Sequence, residues 1–193
     1  MILSKRQEQI LQVSIKIIAT QGIQNFTTKN LAKEIGISEP ALYRHYRNKL
    51  AIMKGIIRYF RITMKPAFQQ VEIAEKSLEK LESFFLNHLQ IFNQNPHIAK
   101  VIFSEANFQN EEELINMMNS IMNQSQQKIR EMIGQGQKSG EISKAVNSLN
   151  LSRIIIGTLR FLIIQWTMSG LVFDLEAEGN ALWQDLKNLI MDK

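Results

Sequence analysis

The chain has 193 residues, 45% of them hydrophobic and 21% charged. That is an ordinary globular balance, large enough to bury a core without staples. The absence of cysteine excludes disulfide frameworks, thiolate metal sites and cysteine nucleophiles, and only nine glycines and three prolines argue against turn-rich sandwiches and barrels. The net charge of +5 is unevenly held: residues 1–60 carry ten bases against three acids, whereas residues 61–193 carry thirteen against fifteen. A basic first third joined to a slightly acidic remainder suggests a polyanion-binding module attached to a domain of another kind.

Helical periodicity dominates throughout, with no strand alternation and no internal repeat. The N-terminus is charged and amphipathic rather than an apolar secretory run, so a cytoplasmic location is expected. Ser4 opens a capping box with Gln7, and Ile10, Leu11, Ile17 and Ile18 recur at helical spacing until Gly22. Thr28 is placed to cap a second helix closed by Gly36. Ser38 is placed to cap a third with Pro40 in its first turn, and Asn48 a fourth. Lys65-Pro66 predicts a break or kink. Another stripe, from Leu78 to Phe92, ends near Asn95-Pro96, and a short helix is expected from about His97 to Phe108. Glu111 to Ile133 reads as a long helix with acids at its positive end. GQGQKSGE reads as a loop, Leu149–Leu171 as a helix apolar nearly all round, and Glu178–Met191 as a final helix. The apolar segment is long enough to span a membrane, but Arg153 and Arg160 lie within it. A helix of this kind is more readily buried between others, and no membrane partner is expected.

Residues 28–47, TKNLAKEIGISEPALYRHYR, fit a helix-turn-helix. Ala32 is small where the helices would cross, Gly36 supplies a positive φ, Ile37 plugs the core, and Leu42 and Tyr46 hold down the second helix. The opposite face then shows Glu39, Ala41, Tyr43 and Arg44, a mixture suited to the major groove.

From Ser4 to Ile57 the chain resembles the N-terminal DNA-binding domain of the TetR family of bacterial regulators. The resemblance rests on Phe26 before Thr27-Thr28, on Leu31-Ala32, Gly36-Ile37-Ser38 and Leu42-Tyr43-Arg44-His45-Tyr46, and on Asn48-Lys49. It implies an all-α protein with a helix-turn-helix domain over residues 1–62 and a helical effector and dimerisation domain over 63–193. It also implies that Thr28, Tyr43, His45 and Lys49 touch the DNA backbone, with Lys29 beside them, while Glu39, Pro40, Ala41 and Arg44 approach base edges. The sequence departs from the family at Leu50-Ala51, where an acidic pair is common.

The expected function is that of a homodimeric regulator on double-stranded operator DNA, most simply a repressor released by a small-molecule effector. The expected dimer contact is a four-helix interface of the last two helices. Phe103, Met118, Ile121, Met122, Phe161 and Trp166 are candidates for an apolar effector pocket, though residues of these kinds also build ordinary cores. The three histidines, His45, His88 and His97, lack metal spacing, and the glycines at 134, 136 and 140 do not make a dinucleotide motif. No catalytic set is evident, so neither enzymatic activity nor a cofactor is expected. Two other readings are an architectural DNA-binding protein without an effector and a helical protein that binds membrane surfaces through its basic N-terminus.

Overall fold

The computed structural model describes residues 3–191 and contains nine α-helices among them. Contacts divide the chain into two units. One comprises residues up to Ile62 together with His97–Asn119, and the other Thr63–Pro96 with the residues from Ser120 onward.

The first unit is built on α1 (Lys5–Gln21), α2 (Thr28–Ile35), α3 (Glu39–Tyr43) and the beginning of α4 (Lys49–Val71). The expected capping box closes α1, with Gln7 N donating to Ser4 Oγ and Ser4 N donating to Gln7 Oε1. Its Ile10, Leu11, Ile17 and Ile18 are buried, as are Leu31 and Ala32 of α2, Leu42 of α3 and Ile52, Met53, Ile56 and Ile57 of α4. The unit also takes in α6 (Pro96–Ile102) and the first part of α7 (Glu112–Ser139), through buried Ile98, Val101, Phe108 and Leu114.

The second unit holds α5 (Ser77–Gln94), α8 (Ser148–Met168) and α9 (Leu175–Ile190), with later parts of α4 and α7. Leu81, Phe85, Leu89 and Phe92 of α5 are buried, as are Ile155, Leu162, Ile163 and Trp166 of α8 and Trp183 of α9. The Phe85 and Trp183 rings lie 5.4 Å apart. A Cβ on Gly179 of α9 would overlap Leu89 Cδ1, so glycine there lets α9 come directly against α5. Lys187 to Glu82 (3.2 Å) and Asn93 to Glu176 (2.7 Å) bind the same two helices near their ends.

Several expectations are corrected. Thr27, not Thr28, caps α2: its backbone is extended and its hydroxyl accepts from Asn30 N at 3.1 Å. The helix does not stop at Lys65-Pro66. Pro66 removes one donor, but Pro66 and Ile62, whose carbonyl loses that partner, are both exposed, where water replaces the bond. The helix expected over His97–Phe108 stops at Ile102, and a 3-10 turn follows at Glu105–Asn107.

GQGQKSGE is mostly helix, with α7 continuing to Ser139. Gly136 serves a close approach rather than a turn, because a Cβ there would lie 2.6 Å from Ile142 Cδ1 and 2.9 Å from Ser77 Cβ. Gly140, with φ 80°, follows the helix end. The final helix begins at Leu175, where Asp174 accepts from Glu176 N and Ala177 N. The run read as apolar all round is two-faced in α8. One side is buried, while Ile154, Phe161 and Met168 are exposed on the other. Among the described helices α8 alone is long and apolar enough to cross a membrane, and 39% of its most apolar window is buried inside the protein.

Candidate nucleic-acid interface

The site is set by short-range chemistry. Gly36 takes the left-handed conformation (φ 75°, ψ 37°), which L-residues with a side chain resist. The chain then turns back: Gly36 N donates to Lys33 O at 3.1 Å and Ile37 N to Ala32 O at 3.0 Å, satisfying carbonyls at the end of α2. Ser38 Oγ accepts from Ala41 N at 3.3 Å and starts α3, with Pro40 in the first turn. Leu42 is fully buried and pins α3 down, while Ile37 and Tyr46 are half-buried. Burial raises the Tyr46 phenol above its ordinary range, opposed by the charge of Arg58. Asn48 Oδ1 accepts from Ala51 N at 2.8 Å, capping α4 as expected.

This geometry leaves the predicted polar residues outward. Lys29, Pro40, Tyr43, Arg44, His45 and Lys49 are exposed, and Thr28, Glu39 and Ala41 are half-buried. Thr28, Glu39 and Tyr43 come together. Tyr43 Oη donates to Thr28 Oγ1 and Thr28 Oγ1 to Glu39 Oε2, each at 3.4 Å, tying the first turn of α2 to α3. Lys49 Nζ stands 5.2 Å from the Phe26 ring centroid, and Phe26 is buried. The aromatic face thus attracts the ammonium itself, while the residue stays exposed.

One base of the N-terminal set is engaged elsewhere. The Lys54 ammonium donates to Glu113 at the beginning of α7 and, with Arg47 nearby, holds that carboxyl below the usual carboxylate range. Nothing in the local sequence pattern marks this pair, whose members are 59 residues apart.

The six residues proposed for an effector pocket fall in both units. Phe103 and Met118 belong to the first unit and are half-buried. In the second unit Ile121 is half-buried and Met122 exposed, its sulfur accepting from Arg160 Nη1 at 3.8 Å. Phe161 is 67% exposed, and Trp166 is buried with Nε1 donating to Phe173 O at 3.1 Å. A groove of about 190 Å³ in the second unit is lined by Phe68, Val71, Lys80, Lys128 and Met132 among others. Lys128 Nζ lies 4.9 Å from the Phe68 ring centroid. No periodicity marks these residues, because three separate helices supply them.

A capped helix pair with arginine, tyrosine and lysine turned outward on a basic unit defines a DNA-binding regulator. Residues 10–56 match the model of bacterial regulatory proteins of the tetR family, and residues 62–190 match that of the C-terminal region of YsiA-like proteins. The chain belongs to the TetR family of DNA-binding transcriptional regulators, and is not an enzyme. It is 24% identical to the nucleoid occlusion factor SlmA of Vibrio atlanticus (strain LGP32) over 182 residues, 93% of each chain. It shares the fold of the fatty acid degradation regulator FadR from Bacillus halodurans (TM-score 0.86, 20% identity, 97% of each chain). It also shares that of FadR from Bacillus subtilis in complex with stearoyl-CoA (TM-score 0.82, 22% identity, 93% of this chain and 96% of that one).

Proposed function

We propose that this regulator is a cytoplasmic homodimer that represses transcription from an operator and is released by an apolar small-molecule effector. Residues 1–62 would bind DNA and 63–193 would bind the effector and dimerise. The observation that carries DNA reading is the outward display of Arg44 on α3 beside Lys49 at the start of α4. Arginine bidentate to guanine is the commonest specific base contact, and lysine serves phosphate as a point charge. Lys49→Ala should weaken binding to every duplex alike and lower the salt slope by about one unit. Arg44→Ala should cost about 1–3 kcal/mol on the selected site and relax preference at one base pair. Anisotropy titrations on operator and random duplexes check both, and an unchanged specificity ratio in Arg44→Ala would reduce Arg44 to a phosphate contact.

Dimerisation is supported by the exposed side of α8, where Ile154, Phe161 and Met168 recur on one stripe. Two helix-turn-helix units then meet half-sites about 34–36 Å apart or a multiple of that. The neighbouring FadR fold seen with stearoyl-CoA makes a long-chain acyl thioester the first effector to test. The likeness to a nucleoid occlusion factor favours a second reading, an architectural DNA-binding protein.

Effector control requires a differential affinity: moving the population from 1:99 to 99:1 takes about 5.5 kcal/mol. It must also be reciprocal, with DNA weakening the effector by the factor the effector weakens DNA. Calorimetric titration of stearoyl-CoA with and without an operator selected from genomic fragments is the test. Weaker binding in the presence of operator supports acyl-thioester control. Equal affinity, or no binding, sinks that control and favours the second reading.

A further inference from the structure

Next to the Lys54–Glu113 pair in the chain, the first unit is loosely filled: Met53 and Leu114, the immediate neighbours of the pair, line a cavity. On one side stand Lys49, Leu50 and Met53 of α4, and on the other Ala106, Asn107 and Leu114, around a cavity of about 260 Å³. A void removes the close contacts that would otherwise fix two segments against each other. Met53 and Leu114 are buried at its edge, and the ion pair bridges the same two segments. The Lys54 side chain is 16% exposed and meets its partner at the edge of the unit. The Glu113 side chain is 65% exposed and reaches in from solvent. Lys54 lies one helical turn beyond Leu50 and five residues beyond Lys49, which opens α4.

We propose that Glu113 is a positioning residue for DNA binding: by pairing with Lys54 it seats the first turns of α4 and so holds Lys49 where it meets phosphate. The inference rests on the DNA-binding role of Lys49 and adds a residue that touches no DNA. It also makes the beginning of α7 a place where DNA affinity is set. Both α4 and α7 supply residues to each of the two units.

The direction of the effect separates positioning from bulk charge. Removing an acid from a DNA-binding protein should tighten binding by electrostatics alone. Loss of positioning weakens it. The experiment measures anisotropy of the full-length protein on a selected operator duplex and a random duplex across a salt series, with circular dichroism to confirm folding. Glu113→Gln should bind the operator three- to ten-fold more weakly than wild type and lose about one unit of salt slope, as if Lys49 had been removed. Glu113→Lys should be weaker still, despite two added units of positive charge. The reversed pair Lys54→Glu/Glu113→Lys, with the wild-type net charge, should return to within about two-fold of wild type. Binding by Glu113→Gln as tight as wild type or tighter, or no recovery in the reversed pair, overturns the inference. Failure of the wild type to bind any duplex would instead strike at the DNA-binding reading itself.

Discussion

Ile155→Asp is expected to unfold the protein, whereas Phe161→Glu leaves it folded and monomeric. The two residues lie on the same helix, α8, six positions apart, which turns them to different sides. Ile155 is fully buried, on a helix that packs against α5 and α9. An aspartate there loses an apolar side chain worth about 2–5 kcal/mol when truncated. It also places an unpaired carboxylate in the core, which takes the total beyond the 4–5 kcal/mol that marks exceptional substitutions. Phe161 is 67% exposed, so a charge there meets solvent within one chain. In a dimer packed through α8 the same charge faces its own copy, and two desolvated like charges oppose association. Sedimentation and far-ultraviolet circular dichroism on both variants check the pair. A folded dimer of Phe161→Glu would place the interface elsewhere, and a folded Ile155→Asp would contradict the burial of that side of α8.

The second large effect is a loss of stability on acidification, centred on His88. This side chain of α5 is buried between Phe84 and Phe68, with ring centroids at 4.1 and 5.1 Å. Its Nδ1 donates to the Phe84 carbonyl at 2.6 Å, which fixes the neutral tautomer. Burial lowers its pKa to about 4, the bond to Phe84 O opposing the shift. The unfolded chain takes up the proton near 6.5 and the folded one only near 4. Between these values the unfolded state binds more protons, so stability falls as pH falls. The contribution is intact above about pH 6.5 and exhausted near pH 4, and about 2 kcal/mol of it is lost between pH 7 and 5. Carboxylates also respond at the acid end, so the measurement is a difference. Unfolding free energies of wild type and His88→Phe, from urea titrations at pH 7, 6 and 5, should diverge from each other by about this amount. Parallel pH profiles would show that His88 is not protected from protonation.

The helix-turn-helix is legible in the sequence because its determinants are local. Ser38, Asn48 and Gly36 act within three or four residues of themselves, and Leu42 and Ala32 occupy the buried positions that helical spacing assigns them. Elsewhere the outcome depends on packing, exposure or backbone conformation that residue type does not specify. Gly136 looks like a turn residue until Ser77 and Ile142 are brought against it. Pro66 looks like a helix breaker until its face proves to be exposed. Thr27 and Thr28 have the same chemistry, and only backbone conformation decides which of them caps. Apolar type groups Phe103 and Met118 with Phe161 and Trp166 but gives none of them a role, since core, surface stripe and ligand wall draw on the same residues. The Lys54–Glu113 pair and the groove beside Phe68 have no one-dimensional signature at all.

The absence of a side chain at Gly179 has a mechanical meaning. Leu89 occupies the space a Cβ would need, so α9 is keyed to α5 like a shaft by a pin. Sliding α9 by one residue, a rise of 1.5 Å, would offer Glu178 or Asn180 to a notch that admits neither. The clasps at Glu82–Lys187 and Asn93–Glu176 stop the pair from splaying about that pin. The two helices therefore have one axial setting, and any ligand-driven rearrangement of this unit must be carried by the helices around them. A change felt by the rest of the protein is then measured against α5 and α9, which serve as its fixed ruler.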